Sequence, residues 1–346
     1  MWILNKDTEK VNSYLLLMKK NLTIRFKSFS LLDGNKVKLK TNVIPIKLKS
    51  TRSYQFLDEN RFWKYLIAEP CELLEMHNEL FSFIIDDVFV QEEWEEVLKG
   101  STNINLQAKY KSINDEEILF IKHMFNYKSY IQKNTPVSYE IAKIININTC
   151  TYCNRQYIIT VEDNDEKWIR PEFDHWFSQF YYPDLALSYY NLIPSCKYCN
   201  SSLKHNEIMM LNRHIHPYLD NKTGFEFRYI PVGNGYSVDV RIDKSLPDGY
   251  QRRVKETLRL YKIQEIYNVH SDFELKDLLE ISHNYPGDYI ETLTNTVMKD
   301  LNVSEEDVYR MLFGIEYATM KHHIRPFSKF KTDIIKQIII ERKSKL

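Results

Sequence analysis

Glycine is scarce in this 346-residue chain, eight in all, and its eleven prolines are equally scattered. No glycine-rich loop of the kind that cradles phosphates is present, which argues against ATP-driven chemistry in this chain. Internal repeats and low-complexity linkers are also missing. No apolar run approaches the roughly 18 residues that a membrane span requires, so no membrane association is expected. The first residues, MWILNKDTEK, turn charged after four positions, which speaks against a secretory leader. A net charge is lacking too. Lys and Arg (47) balance Asp and Glu (47), so the total gives no argument for nucleic-acid binding.

What is present describes a soluble globular protein, 43% hydrophobic and 27% charged, with length for two or three units. Charge is unevenly spread. Residues 1–52 carry twelve Lys/Arg against three Asp/Glu, and residues 321–346 carry eight against two. Basic ends can form a phosphate-facing surface, and solvated faces explain them equally well. Five cysteines, four of them in C-x-x-C pairs, suit a reducing compartment and a metal better than disulfides. The expected location is therefore the cytoplasm, and Cys71, outside the pairs, reads as a buried small hydrophobe.

The pattern implies four segments. Residues 1–52 form a basic N-terminal segment with a hairpin, Leu22–Phe26 and Val37–Lys40 alternating around Asp33-Gly34. Residues 53–147 are helical, with apolar positions at three-to-four spacing around Phe62, Tyr65 and Leu66 and again from Ile118 to Met124. Residues 148–217 hold the motifs. Residues 218–346 begin with a hairpin, Phe225–Ile230 and Tyr236–Ile242 about Gly233-Asn234-Gly235, and end in helices. The last helix, Phe330–Arg342, places Ile334, Ile335, Ile338 and Ile339 on one apolar face.

Cys150-Thr-Tyr-Cys153 and Cys196-Lys-Tyr-Cys199 are the chemical centre of the sequence. Two such knuckles can hold one tetrahedral zinc, provided that the intervening residues 154–195 fold back. Between them stands Pro171-Glu-Phe-Asp174-His175-Trp-Phe. Asn191 follows in Tyr190-Asn-Leu-Ile-Pro, and Asn200 comes directly after the last cysteine. This order, Asp-His, Asn, then Cys-x-x-Cys-Asn, resembles the HNH endonuclease family over about residues 148–206.

The resemblance implies an α+β fold: a zinc-stapled ββα-metal finger embedded in a mainly helical chain with small β-hairpins. It implies that Asp174 binds a catalytic divalent cation and that His175 is the general base. Asn191 then pins the loop that orients the base, and Asn200 is the second cation ligand, which makes this an H-N-N variant. Two positions depart from the common pattern. Ser178 stands where family members often have proline, and Lys204 lies four residues after Asn200 rather than three. A first strand at Trp168–Phe173, a second at Asn191–Pro194 and a helix from about Cys199 complete the expected finger.

The chemistry agrees with those roles. Phosphodiester hydrolysis needs an activated water, and a neutral imidazole accepts its proton near pH 7. A carboxylate and an amide oxygen suit Mg²⁺ or Mn²⁺, while the thiolates keep zinc elsewhere. Two side-chain ligands favour a one-metal mechanism. The expected partner is nucleic acid, DNA ahead of RNA, with a partner protein or a homo-oligomer also open. Stand-alone relatives with flanks of this kind resemble effectors of bacterial defence or restriction. The rival is a zinc-dependent module that binds nucleic acid or protein without catalysis. Arg155 and Lys197 are further candidates for phosphate contacts, and Tyr181, Tyr182, Tyr189 and Tyr190 for base stacking. His205, His214, His216 and the His322-His323 pair read as structural.

Overall fold

The computed structural model describes residues 2–30, 46–163, 166–205, 207–284 and 304–343. It is an α+β chain, and among the described residues the strands form three two-stranded sheets. Two compact units emerge, and neither is contiguous. The first comprises Met1–Leu4, Asn146–Glu172 and Pro194–Leu346; the second comprises Asn5–Ile145 and Phe173–Ile193.

Among the described residues, the second unit is built on the helices α1 (Thr8–Ser30), α2 (Arg52–Phe56), α3 (Glu59–Ile67), α4 (Pro70–Ile85), α5 (Gln91–Leu98), α6 (Ile104–Tyr110), α7 (Asp115–Met124) and α8 (Thr135–Ile145). Local chemistry starts them. Thr51, Asp58, Asn103 and Asn114 each accept an otherwise orphaned backbone N–H at the start of α2, α3, α6 and α7, and Pro70 opens α4. The expected apolar stripes supply the core: Phe62, Tyr65 and Leu66 of α3 and Phe120, Ile121 and Met124 of α7 are all buried. The buried Glu117 carboxylate accepts the Arg52 and Ser53 N–H groups at 2.7 and 2.9 Å.

In the first unit, β1 (Val161–Asp163) pairs antiparallel with β2 (Glu166–Ile169). Strand β3 (Glu172–His175) pairs with β4 (Leu192–Ser195), and the unit boundary falls within both strands. Strands β5 (Phe225–Val232) and β6 (Gly235–Ile242) form the expected hairpin, closed by Gly233-Asn234 with Gly233 at φ 57°. Helices α9 (Asp248–Leu260), α10 (Ile263–Asn268), α11 (Lys276–Asn284), α12 (Glu305–Phe313) and α13 (Ser328–Lys343) follow. The core is aromatic: Phe227 lies 4.4 Å from Tyr267 and 5.3 Å from Phe330, ring centre to ring centre.

Side chains cover both edges of this hairpin. Asp333 and Gln337 on α13 accept the N–H groups of Phe227 and Tyr229 at 3.0 Å each. Asn268 accepts that of Val238, also at 3.0 Å. Such cover prevents edge-to-edge association. Gly224 (φ 73°) has no room for a side chain, since an added Cβ would lie 2.6 Å from Val254 Cγ2.

Three expectations need correction. Leu22–Phe26 does not form a strand; it continues α1. The rest of that hairpin, Asp33-Gly34 and Val37–Lys40, lies outside the described residues. Trp168–Phe173 is not one strand but two, because Pro171 has no N–H to continue a ladder: β2 ends at Ile169 and β3 begins at Glu172. Cys71 is exposed, standing just inside the start of α4.

Candidate metal centre and histidine site

The cysteines come together as expected. Cys150, Cys153, Cys196 and Cys199 are all buried, and their Sγ atoms lie within 4.8 Å of one another. Tetrahedral zinc with bonds of about 2.3 Å would draw them to roughly 3.8 Å apart, a small adjustment. Among the described residues this is the one group of three or more His, Cys, Asp or Glu side chains able to hold a metal. Burial pushes the Cys150 thiol up, which favours its protonated form where no cation is present. A divalent metal reverses that preference by replacing the protons.

The first knuckle is built into the core of its unit. The Cys150 N–H donates to Gln156 O at 2.9 Å, and the Asn154 N–H donates to Cys150 O at 2.8 Å, closing a tight turn with Asn154 at φ 49°. The Arg155 N–H donates to Cys153 Sγ at 3.5 Å, which supports a thiolate. The fully buried Asn154 amide donates to Thr149 Oγ1 (2.9 Å) and His322 O (2.8 Å), and its Oδ1 accepts the Lys329 N–H (3.3 Å). The Tyr267 hydroxyl donates to Cys153 O at 2.6 Å, and Tyr152 stacks on Tyr261 at 4.2 Å.

The second knuckle repeats only the turn. The Asn200 N–H donates to Cys196 O at 3.1 Å, and the chain enters a π-helical segment, Tyr198–Lys204, with Asn200 in its first turn. Lys197 and Tyr198 are exposed. The Asn200 amide nitrogen donates to Glu172 Oε2 at 2.9 Å. That bond orients the amide.

The histidine lies in the second unit. His175, 8% exposed, closes β3, and its Nε2 is 3.0 Å from Ala186 O. A carbonyl only accepts, so Nε2 carries the proton, and in the neutral ring Nδ1 bears the lone pair. The Tyr127 ring meets the imidazole edge-on at 4.4 Å. Asn191, fully buried, secures the same loop. Its Oδ1 accepts the Phe177 N–H at 2.6 Å, and its amide donates to Phe177 O (3.1 Å) and Leu185 O (2.9 Å). It thereby fixes the peptide next to the carbonyl that holds His175. Asp174, 4% exposed, precedes the histidine on β3.

Other candidates fall out on structural grounds. Tyr182, Tyr189 and Tyr190 are buried and pack rather than offering faces for stacking. His214 and His216 are buried, and burial lowers His214 to about 4. His322 is buried beside the first knuckle and is likewise lowered to about 3 by burial. Arg155 is half-buried, its guanidinium 3.5 Å from His270 Nε2. Glu172 went unnoticed in sequence, although its place two residues before Asp174 was a usable signal, since alternate residues of a strand share a face.

No protein-family model matches this chain, and neither a curated protein nor a solved structure shows significant similarity to it. Among the described residues, no helix is long and apolar enough to cross a membrane.

Proposed function

We propose that the chain is a metal-dependent endonuclease of the HNH type, hydrolysing DNA phosphodiester bonds with His175 as general base. The observation that carries this reading is the Nε2-to-Ala186 hydrogen bond, which supports Nδ1 as the atom that accepts the proton. The donor sets fit two different metals. Four thiolates fit a structural zinc. By the resemblance to HNH enzymes, Asp174 and Asn200 would be the side-chain ligands of a catalytic cation, hard oxygens of the kind that Mg²⁺ or Mn²⁺ takes. That cation, when bound, neutralises charge growing on the phosphate and the leaving 3′ oxygen.

The chain's own residues do the rest. Nδ1 of His175 accepts a proton from water, the water oxygen bonds to phosphorus, and the P–O3′ bond breaks as the 3′ oxygen leaves with the electron pair and takes a proton from solvent. Ala186 O stabilises the imidazolium through Nε2–H, and Asn191 keeps that carbonyl in place. Glu172 holds the amide of Asn200. The test is plasmid nicking by zinc-loaded protein across a Mg²⁺/Mn²⁺ titration, beside EDTA and His175→Ala. Cleavage should need both the metal and the histidine, with a loss of roughly 10²–10⁴-fold in the variant.

A second reading has one observation in its favour: Asp174 and His175 are both nearly buried. On that reading the zinc module binds nucleic acid or protein, and the pair only packs. It predicts binding that survives Asp174→Ala and His175→Ala and disappears in Cys150→Ser. RNA in place of DNA is tested in the same assay with a labelled transcript.

A further inference from the structure

The carbonyl that orients His175 sits in a loop with supports of its own. Three helices of the second unit reach it. The Tyr14 hydroxyl of α1 donates to Leu187 O at 2.5 Å, and Ser188 Oγ donates to Tyr65 O of α3 at 2.5 Å. On α4, His77 Nδ1 lies 2.8 Å from Asp184 Oδ1. The third support differs in kind, because both of its side chains are completely buried.

His77 Nε2 faces Gln91 Oε1 at 3.2 Å, and the amide nitrogen of Gln91 donates to Glu95 Oε1, also at 3.2 Å. Both nitrogens of His77 thus face oxygen acceptors, while Asp184 Oδ2 is buried with no hydrogen-bond partner. The rings of Phe81, Tyr182 and Phe89 surround the imidazole at 4.5, 4.8 and 5.3 Å. An apolar pair of similar volume would serve stability as well as or better than such an ion-pair geometry, so stability alone does not explain it. Direction does. A short hydrogen bond between two rigidly boxed groups fixes the turn Pro183–Leu185, and the residue directly after that turn is Ala186.

We propose that His77 and Asp184 are a positioning pair for His175. They fix the 183–186 turn so that Ala186 O meets Nε2 and holds the ring in the Nε2–H tautomer. The effect on catalysis rests on the nuclease reading; the effect on the tautomer does not.

Histidine-¹⁵N-labelled protein reports the tautomer directly through long-range ¹H–¹⁵N correlations. Wild type should show His175 in the Nε2–H form alone. A His77→Phe/Asp184→Leu double variant keeps the box filled and should stay folded by near-ultraviolet dichroism, yet show mixed tautomers. Its kcat should fall by about 10–100-fold, with KM within about twofold, as for other residues that orient a working imidazole. Asp184→Asn, which retains an oxygen for His77, should keep the wild-type tautomer, whereas Asp184→Ala should lose it. This pair decides the matter even where the double variant does not fold.

A single Nε2–H tautomer in both the double variant and Asp184→Ala would overturn the proposal, as would equal mixing in Asp184→Asn and Asp184→Ala. An inactive wild type whose Nε2–H signal is lost in the double variant would sink the nuclease and uphold the positioning. An active wild type whose double variant retains both tautomer and kcat would do the reverse.

Discussion

Cys150-Thr151-Tyr152-Cys153-Asn154 and Cys196-Lys197-Tyr198-Cys199-Asn200 follow one pattern, C-x-Y-C-N, and close the same backbone turn. Their surroundings differ at every other position. Tyr152 is 1% exposed and Tyr198 is 58% exposed; Thr151 is buried and Lys197 is not. Asn154 spends its side chain on Thr149, His322 and Lys329, inside the core, whereas Asn200 is half-buried and tied to Glu172. The thiolate geometry is set locally by the turn, and the role of the asparagine is set by what packs against it. One knuckle anchors the fold, and the other presents a surface.

The two knuckles must fail together where they share a metal. Cys150→Ser or Cys196→Ser should lower zinc from about one per chain to near zero and abolish cooperative unfolding of the first unit, because structural zinc contributes on the order of 10 kcal/mol to folding. Zinc analysis with calorimetry checks this, and a zinc-loaded, cooperatively folded Cys196→Ser protein would break the pairing.

They should separate at the tyrosines. Tyr152→Ala removes a buried ring stacked on Tyr261 and should cost about 3–5 kcal/mol, whereas Tyr198→Ala should stay within about 0.5 kcal/mol of wild type. Urea denaturation of the two variants measures the gap.

The anchored side should also respond to pH. Burial holds His322 down at about 3, against an ordinary value near 6.5. Between those values the unfolded chain binds a proton that the folded chain refuses, so the stability of the neutral form is lost as pH falls from about 6.5 toward 3. The drop should reach roughly 1–3 kcal/mol by pH 5. His322→Gln should flatten that slope in urea titrations at pH 7 and pH 5.5 with zinc content confirmed.

Much of this organisation was legible in the sequence, for identifiable reasons. The cysteine cluster was legible because two C-x-x-C turns in so polar a setting suit a shared metal ion. The β5–β6 hairpin follows from strict alternation about Gly233-Asn234, and the α3 and α7 stripes follow from their period. Leu22–Phe26 misled because five alternating residues are too short a run to outweigh the helix that precedes them. The division into two discontinuous units left no local trace, since residues 173–193 join helices far away in sequence. The His77–Asp184 pair was invisible for the same reason, its members being 107 residues apart. Asn154 and Asn200 looked alike because their immediate neighbours are alike; only long-range contacts tell them apart.

The most direct test compares Asn154→Ala with Asn200→Ala for zinc content, unfolding free energy and plasmid cleavage in Mg²⁺. The account predicts that Asn154→Ala loses about 2–4 kcal/mol, since several buried backbone groups lose their partner. Asn200→Ala should keep its zinc and its stability within about 1 kcal/mol and lose cleavage by at least about tenfold. Equal destabilisation of the two variants, or full cleavage by a stable Asn200→Ala protein, would contradict it.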